Sequence, residues 1–467
     1  MRPGAHPLRR TAEGARPVDF GAFVRARSRA GDLVVQPRMG FSDPVTMRAG
    51  LAATSAAEAT TVGTITLDSY TRVGELDSVR SALAAGVDLN GYPIVTYDRA
   101  VTGQVLAGIR DETFPVQVRH GSAVPGDIFA ALRRTLINAT EGGPVSYCLP
   151  YGRTPLDESV RNWVRCTEDF AQLRESGVEP HLETFGGCML GQLCPPSQLV
   201  AISVLEALFF CQHGIRSVSL SYAQQTHPGQ DREAVAALRR LCGELLPTPN
   251  WHVVIYAYMG VYPTTDEGAY LLLDQATRLA VGSGSERLIV KTVAESRRIP
   301  TVAENVAALE SAARTARTAQ PGGPASTEAD SQTYLEARAL VEGVLELSAD
   351  IGHAFELAFR QGALDIPYCL HPDNHGRARS YIDGDGRLRW AGIGRLPLAG
   401  LVGPARTRDA TSAGLLADLS YVQRAFDRLA VESGDVRDRD RADIEPSRFR
   451  SLPGGESLER AEDLGGL

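Results

Sequence analysis

Short apolar runs alternate with amphipathic segments through most of this chain, and this alternation limits the possible folds more than any other feature. Parallel strands are joined by long crossover connections, usually helices, so the alternation predicts a parallel α/β sheet. We predict strands at nine segments: 33–37, 61–66, 93–97, 115–119, 138–141, 180–185, 217–222, 252–259 and 288–291. A sheet of eight strands would leave one of these outside, and the sequence does not indicate which.

The segments between the predicted strands have helical periodicity. Residues 158–175 and 231–245 carry apolar stripes, whereas residues 197–212 are apolar on nearly all sides, which predicts a buried helix. A chain of 467 residues has room for one barrel of roughly 250 residues and further segments at its ends. We therefore predict an α/β fold, with a TIM-like (β/α)8 barrel over residues 32–315 and a polar N-terminal arm over residues 1–31.

A C-terminal α+β extension, residues 332–432, is predicted beyond the barrel. The predicted segments after the last strand are a helix, 302–315; a linker rich in Gly, Pro, Ser and Ala, 316–331; a helical pair, 332–345 and 349–361; and a hairpin, 380–382 with 388–390. The charged and Gly-rich tail, residues 433–467, is predicted to be disordered.

The composition excludes several classes of function. The net charge is −8 and basic residues are not clustered, which argues against nucleic-acid binding. The seven cysteines are odd in number and contain no CxxC pair, which favours reduced thiols over a disulfide framework or a zinc site. The longest apolar stretch, 199–211, is interrupted by Ser203 and Glu206 and is too short to cross a bilayer. We predict a soluble, cytoplasmic protein.

The chain has 48 lysine and arginine residues together, and Lys291 is its single lysine. Lys291 ends the predicted strand 288–291, and Glu295 follows four residues later. A lysine ammonium is a compact group with three donors, which a planar guanidinium does not replace at a crowded site. Barrel enzymes keep their functional residues at the C-terminal ends of strands, so Lys291 and Glu295 are candidate site residues. Chance survival of one lysine in an arginine-rich chain is the alternative.

Three arginines, Arg38, Arg72 and Arg119, lie at or just beyond the ends of predicted strands. Each guanidinium matches a carboxylate in two parallel hydrogen bonds, so the three together predict a site for a small dicarboxylic acid. His120 should face away from Arg119, as a core histidine or a loop residue, because successive strand residues face opposite sides. Taken singly, each arginine could also be an ordinary surface residue.

A carboxylate and two tyrosines follow the predicted strand 138–141. Glu141 can receive an ammonium group within an arginine-rich mouth, and Tyr147 and Tyr151 supply neutral hydroxyls. Together with the arginines, these residues predict a pocket for an amino dicarboxylate. Glu141 is equally suited to an ion pair with one of the arginines, and the sequence leaves that alternative open.

Six short motifs occur in one order along the chain: 36–38 (QPR), 66–72 (TLDSYTR), 89–93 (LNGYP), 119–121 (RHG), 141–151 (EGGPVSYCLPY) and 289–295 (IVKTVAE). With these motifs the chain resembles the large, catalytic subunit of adenosylcobalamin-dependent glutamate mutase, also called methylaspartate mutase. The resemblance extends from about residue 32 to residue 388.

The resemblance implies an isomerase that interconverts glutamate and 3-methylaspartate by a radical mechanism. In that family the large subunit is a TIM-like barrel that forms a homodimer within a heterotetramer and binds the coenzyme against a separate small cobalamin-binding subunit. The implied substrate-binding residues are Arg38, Arg72, Arg119, Glu141, Tyr147 and Tyr151. The implied cofactor-binding residues are Gly40, Thr66, Asn90, Pro150, Phe185, Met259, Lys291 and Glu295. Glu141, Lys291 and Glu295 are also the implied catalytic residues.

The small subunit is expected to supply the axial histidine of adenosylcobalamin. In this class that histidine belongs to an Asp-x-His-x-x-Gly loop, and none of the nine histidines here lies in such a sequence. Three segments depart from the family pattern at predicted strand ends: 184–191, 221–227 and 256–260. They leave open the coenzyme contacts on that side and the particular amino dicarboxylate used.

Two other functions are compatible with the sequence. One is a barrel lyase or aldolase in which Lys291 is a Schiff-base nucleophile, a common use of a desolvated lysine at a strand end. The other is a non-catalytic barrel derived from the mutase. The complete arginine set with Glu141 argues against the second, because a site that had lost its function would have no reason to keep them.

Overall fold

Eight parallel strands form the central sheet of the protein. The computed structural model describes residues 18–150, 152–186, 193–322, 330–403 and 411–434. The strands are β1 (Val34–Gln36), β2 (Gly63–Thr66), β3 (Val116–Arg119), β4 (Ala139–Glu141), β5 (His181–Glu183), β6 (Ser217–Ala223), β7 (Trp251–Tyr256) and β8 (Arg287–Ile289). They are ordered β1-β8-β7-β6-β5-β4-β3-β2, and a parallel bridge from Val35 to Thr61 joins the two edges. The predicted TIM-like barrel is confirmed.

One of the nine predicted strands, 93–97, is wrong. This segment forms a turn in which the backbone N–H groups of Thr96 and Tyr97 donate to the carbonyl of Pro93 at 3.1 and 3.2 Å. Apolar residues such as Ile94 are buried there, which explains the misleading pattern. Because Pro93 has no N–H to give to a ladder, the chain pairs with β2 only at the preceding residue, Tyr92.

Helices alternate with the strands around the barrel. They are α1 (Phe20–Arg29), α2 (Pro44–Ala56), α3 (Ser69–Val73), α4 (Leu76–Ala84), α5 (Arg99–Leu106), α6 (Gly126–Thr135), α7 (Leu156–Ala171), α8 (Pro196–Gln212), α9 (Pro228–Leu245), α10 (Asp266–Gly282) and α11 (Val302–Thr318). Helix α8 is buried on nearly all sides, as its sequence predicts, because it packs against β6, α9 and the C-terminal extension. Among the described helices, none is long and apolar enough to cross a membrane.

Helix α1 lies within the predicted polar arm and covers the N-terminal end of the barrel. Phe20 and Val24 are fully buried, in a cluster with Val34 of β1. The Phe20 ring also lies 5.1 Å from the ring of His181 at the start of β5. The lower end of the barrel is therefore closed, which leaves the C-terminal strand ends for a binding site.

The C-terminal extension has the predicted elements. These are the helical pair α12 (Gln332–Leu345) and α13 (Ile351–Gln361), the antiparallel hairpin β9 (Arg379–Ile382) and β10 (Leu388–Gly392), and the further helices α14 (Ser412–Leu419) and α15 (Tyr421–Gly434). The hairpin is fixed to the barrel because Thr226 and Gln230 donate to the carbonyls of Gly386 and Leu388 at 2.6 and 2.8 Å.

Several predicted features lie wholly or partly outside the described residues. They are 1–17 of the arm, 323–329 of the linker, Cys188 and the tail from residue 435. The six cysteines within the described residues are free thiols.

Candidate active site

Arg119 and Glu141 form an ion pair inside the mouth of the barrel. Arg119 ends β3 and Glu141 ends β4, and Arg119 Nη2 lies 2.7 Å from Glu141 Oε2. Both side chains are almost completely buried. Burial works against the charge of Arg119, but Glu141, with smaller contributions from Tyr256, Tyr147 and Glu183, outweighs it and raises the pKa of Arg119. Burial also raises the pKa of Glu141, although Arg119 opposes this effect. The ion pair that the sequence left as an alternative for Glu141 is therefore present.

Two tyrosine hydroxyls contact the Glu141 carboxylate. Tyr147 donates to Oε1, and the Tyr256 hydroxyl lies 3.2 Å from Oε2. The ring of Tyr256 is also a platform for Arg119, whose guanidinium carbon lies 4.9 Å from the ring centroid. Phe185 packs 4.7 Å from the Tyr147 ring, between centroids, so it belongs to this cluster as well. Tyr151, a predicted substrate residue, lies outside the described residues.

Glu183 and Arg287, which the sequence analysis did not select, lie directly beneath this cluster. Glu183 ends β5 and Arg287 begins β8, and the two form a fully buried ion pair. Glu183 Oε1 also lies 3.6 Å from Arg119 Nη1 and accepts a hydrogen bond from Tyr256. Burial alone would raise the pKa of Glu183, but Arg287 and Arg119 lower it. Charges of opposite sign therefore alternate from Arg287 through Glu183 and Arg119 to Glu141.

The barrel interior below these four charged residues is also polar. Gln36 donates to Thr64 and Gln117, both at 2.8 Å, and Gln117 donates to Glu183 at 3.2 Å. Arg287 contacts Gln36 as well. Barrel interiors are more often filled by branched apolar residues. Here a connected network satisfies the buried polar groups and holds Glu183 from below.

A second group of charges lies where β1 and β8 pair. Glu295 Oε1 is 3.0 Å from Lys291 Nζ and 2.7 Å from Arg38 Nη1. The Lys291 ammonium also lies 5.0 Å from the centroid of the Tyr262 ring. Burial opposes ionisation of Glu295, but Lys291 and Arg38 outweigh it and lower the pKa of Glu295 to about 2. Arg38, a predicted substrate residue, thus forms its ion pair with Glu295, a predicted cofactor residue.

Arg72 and His120 lie beside the end of β3. Arg72 is on helix α3 rather than on a strand, and its Nε donates to the Leu67 carbonyl at 3.3 Å. A Cβ at Gly121, where φ is +78°, would lie 3.3 Å from Arg72 Cδ. His120 is buried against Trp163, with 5.8 Å between ring centroids. Burial and then Arg72 lower the pKa of His120 to about 3. The interpretation of His120 as a core histidine is confirmed.

The family model described as Methylaspartate mutase E chain (MutE) matches residues 17–410. The chain belongs to this family. Two relatives are each named glutamate mutase epsilon subunit. The protein from Escherichia coli O157:H7 is 28% identical over 349 residues, which cover 71% of this chain and 72% of the relative. The protein from Halobacterium salinarum is 30% identical over 344 residues, which cover 71% of each chain.

Solved structures add little to this family assignment. The dihydrodipicolinate synthase of Agrobacterium tumefaciens is similar with a TM-score of 0.30 and 12% identity. The similarity covers 87% of this chain and 99% of that chain. A TM-score at that level carries no argument about chemistry.

The segments that depart from the family pattern meet the site in different ways. Segment 256–260 places Tyr256 between Glu141 and Glu183. Segment 221–227 is tied instead to the C-terminal hairpin through Thr226. Residues 187–191 of the third segment lie outside the described residues. Among the described residues of these segments, Tyr256 contacts the predicted substrate residue Glu141, and Phe185 of segment 184–191 packs against Tyr147.

The remaining predicted cofactor residues of this family member lie on loops at the C-terminal face. Gly40 leaves no room for a Cβ, which would overlap the backbone carbonyl of Thr66. The Asn90 side chain accepts from the backbone N–H of Ser69 at 2.9 Å. Pro150 lines a cavity of about 360 Å³ that it shares with the extension, and Met259 is partly exposed after β7. No described contact joins these residues into one site.

Proposed function

We propose that this chain is the catalytic subunit of an adenosylcobalamin-dependent isomerase that interconverts glutamate and 3-methylaspartate. The observation that carries the proposal is the buried cluster of Arg119, Glu141 and Tyr147 in a barrel of the methylaspartate mutase E chain family. Arginine and carboxylate together match the carboxylates and the ammonium of an amino dicarboxylate. Relatives named glutamate mutase epsilon subunit support glutamate as the substrate.

Arg119 is suited to bind a substrate carboxylate. Its raised pKa keeps it cationic, and its Nη1 donates no hydrogen bond to any atom of the described residues. Arg72 lies beside the same strand end and would supply the second grip. Glu141 would take the substrate ammonium, with Tyr147 and Tyr151 beside it. Arg38 would grip the substrate only by sharing its guanidinium with Glu295.

The residues present fit an adenosyl group and a corrin at this face. When bound, adenosylcobalamin supplies the radical that abstracts a hydrogen atom from the substrate. Lys291 and Glu295 offer a donor and an acceptor for the ribose hydroxyls. Gly40 lets the backbone approach closely, and the buried Thr66 hydroxyl has no hydrogen-bond partner among the described residues. Asn90, Pro150, Phe185 and Met259 would complete the contacts.

The partner would be a small cobalamin-binding subunit that docks on the barrel mouth. Exposed apolar side chains support this position because they lie on segments that follow the strand ends: Val45, Tyr70, Val73, Val124, Val261 and Ile299. A partner subunit that supplies the axial histidine would cover these exposed apolar side chains. We propose a cytoplasmic heterotetramer in which this chain forms the central homodimer.

The lyase or aldolase alternative is less well supported. A Schiff-base lysine attacks as a neutral amine, usually one that lacks a charge partner. Lys291 instead lies 3.0 Å from Glu295, a carboxylate whose pKa is lowered to about 2. An ammonium held by an ionised carboxylate is a poor nucleophile, so the contact favours ribose binding.

The test is reconstitution with a small subunit that carries the Asp-x-His-x-x-Gly loop. We expect conversion of glutamate to 3-methylaspartate when both subunits and adenosylcobalamin are present, and no conversion by this chain with coenzyme alone. Conversion of a different amino dicarboxylate would show a shifted substrate. Borohydride trapping with a keto acid should leave Lys291 unmodified; a labelled Lys291 would support the lyase instead.

A further inference from the structure

Glu206 is a carboxylate in the middle of the apolar helix α8, and it is fully buried. Its Oε1 accepts from the backbone N–H groups of Val145 at 3.1 Å and Ser146 at 2.9 Å. Its Oε2 accepts from the Ser146 hydroxyl at 2.8 Å. The carboxylate therefore holds a turn that follows β4, although about sixty residues separate the two in sequence.

The turn held by Glu206 is the one that connects Glu141 to Tyr147. A Cβ at Gly143 would overlap the Glu206 carboxylate, so the backbone lies directly on it. At Gly142, where φ is +129°, a Cβ would lie 2.5 Å from the Tyr147 ring. The turn is thus packed between the Glu206 carboxylate on one side and the Tyr147 ring on the other.

A leucine at position 206 would fit the apolar helix without the cost of burying an ionisable group. Burial raises the pKa of Glu206 to about 7, although its bonds to Ser146, Val145 and Phe185 lower it. Phe185, whose backbone also bonds to Glu206, packs against Tyr147 in the candidate site. The Glu206 carboxylate therefore bonds to the backbone of two segments of that site, at residues 145–146 and at Phe185.

We propose that Glu206 is a positioning residue of the substrate site. Its carboxylate fixes residues 142–147 so that Glu141 and Tyr147 stay aligned with Arg119. The contribution to substrate binding rests on the function proposed above, whereas the fixing of the turn does not. If the Glu141 carboxylate is not held in position, it binds the substrate ammonium less tightly. The effect should therefore appear in KM more than in kcat.

The test compares Glu206→Gln with Asp231→Asn. Glutamine keeps the shape of Glu206 and one acceptor oxygen, but it loses the negative charge and the second acceptor, so the hydrogen bonds that hold the turn are weakened. Asp231 is a matched control because it is also fully buried, has a pKa raised by burial to about 7, and holds a different turn through the Gln225 N–H at 3.0 Å. Hydrogen–deuterium exchange is measured on both variants, and KM and kcat for glutamate are measured in the complex with small subunit and coenzyme.

We expect Glu206→Gln to speed exchange in 142–147 and to raise KM, each by at least about tenfold, with kcat within about threefold of wild type. Asp231→Asn should leave exchange in 142–147 unchanged and speed it in 223–227. Unchanged exchange in 142–147 of Glu206→Gln would overturn the proposal, and so would faster exchange with an unchanged KM.

Two further outcomes are covered by the same experiment. If the wild-type complex does not convert glutamate, the proposed function fails, while the exchange data still decide whether Glu206 fixes the turn. If Glu206→Gln does not fold, Ser146→Ala removes only the hydroxyl bond and should speed exchange in 142–147 by about threefold. No change in that variant would overturn the proposal.

Discussion

The guanidinium of Arg38 donates to Glu295 Oε1 at 2.7 Å, across the seam where β1 pairs with β8. Arg38 is a predicted substrate residue and Glu295 a predicted coenzyme residue, so this contact joins the two halves of the proposed site. Lys291 shares the same oxygen at 3.0 Å. Any movement of Glu295 toward a ribose hydroxyl would therefore alter the position of Arg38.

Arg119→Lys should lower kcat/KM for glutamate by at least roughly tenfold, although the positive charge is kept. An ammonium cannot make the two parallel bonds of a guanidinium, and one charge-assisted hydrogen bond contributes ~1.5–3 kcal/mol. Arg72→Lys should act in the same direction. Arg161→Lys is the control, because that side chain is 58% exposed on the outer face of α7. Wild-type activity in Arg119→Lys would remove Arg119 from the substrate site.

Tyr256→Phe should raise KM for glutamate by about fivefold or more, because the hydroxyl that orients Glu141 and Glu183 is lost. The ring that supports Arg119 is retained, so the fold should persist. Tyr258→Phe is a matched control, since the buried Tyr258 hydroxyl has no hydrogen-bond partner among the described residues. Its KM should equal the wild-type value, and its melting temperature should not fall below wild type. Equal effects of the two variants would contradict a specific role for the Tyr256 hydroxyl.

Arg287→Met should lower the free energy of unfolding by ~3–5 kcal/mol, because Glu183 would be left as a buried charge without its closest cation. The double variant Arg287→Met with Glu183→Gln should be more stable than Arg287→Met alone, since the uncompensated charge is gone. Urea unfolding of the single and double variants measures the difference. A double variant less stable than Arg287→Met would show that the ion pair is not the main interaction.

The barrel was predictable because its signal is repeated. Eight of nine predicted strands overlap an observed strand, and the helical pair 332–345 and 349–361 corresponds to α12 and α13. The segment 93–97 failed because burial of Ile94 gives the same apolar pattern in a turn as in a strand. A short apolar run reports burial, and only its hydrogen bonds decide whether it is a strand.

The site was predictable at strand ends and less so inside the barrel. Arg119 and Glu141 stand out because each is a charged residue that closes an apolar run. Glu183 has the same signal, and it lies opposite Glu141 in the β4–β5 register. Its partner Arg287 is the first residue of β8, and a charged residue at the start of an apolar run gives no such signal. The pairing of Arg38 with Glu295, 257 residues apart, depends on closure of the barrel and has no local sequence signature.

Asp231→Asn should flatten the dependence of stability on pH. Burial raises the pKa of Asp231 from its ordinary 3.8 to about 7. From about pH 4 to about pH 7 the folded chain keeps a proton that the unfolded chain has lost, so stability falls as pH rises, by roughly 1.4 kcal/mol per pH unit for one group. Asparagine keeps one acceptor oxygen, which holds the Gln225 N–H less strongly than the carboxyl group does, and it does not titrate. Urea unfolding at pH 5, 6 and 7 measures the slope, and a wild-type slope in the variant would contradict the assignment.

Lys291→Ala should weaken coenzyme binding and lower the yield of the substrate-triggered cobalt(II) signal, because the ammonium is the proposed donor to the adenosyl ribose. Glu295 would keep Arg38 at 2.7 Å and stay ionised, so the site should not collapse. Glutamate binding should change little, since Arg119 and Arg72 supply that grip. The measurements are a coenzyme titration and an electron paramagnetic resonance spectrum of the reconstituted complex.

The partner variant Glu295→Ala removes the acceptor that Lys291 and Arg38 share, so it should cost more than Lys291→Ala in coenzyme affinity and also weaken glutamate binding. The double variant should cost less than the sum of the two single variants, as expected of residues that act as a unit. Additive effects would mean that the 3.0 Å ion pair has no part in coenzyme binding. If Lys291→Ala abolished glutamate binding and left cobalt–carbon cleavage intact, Lys291 would belong to the substrate pocket, and Schiff-base chemistry at its ammonium nitrogen would become the better account.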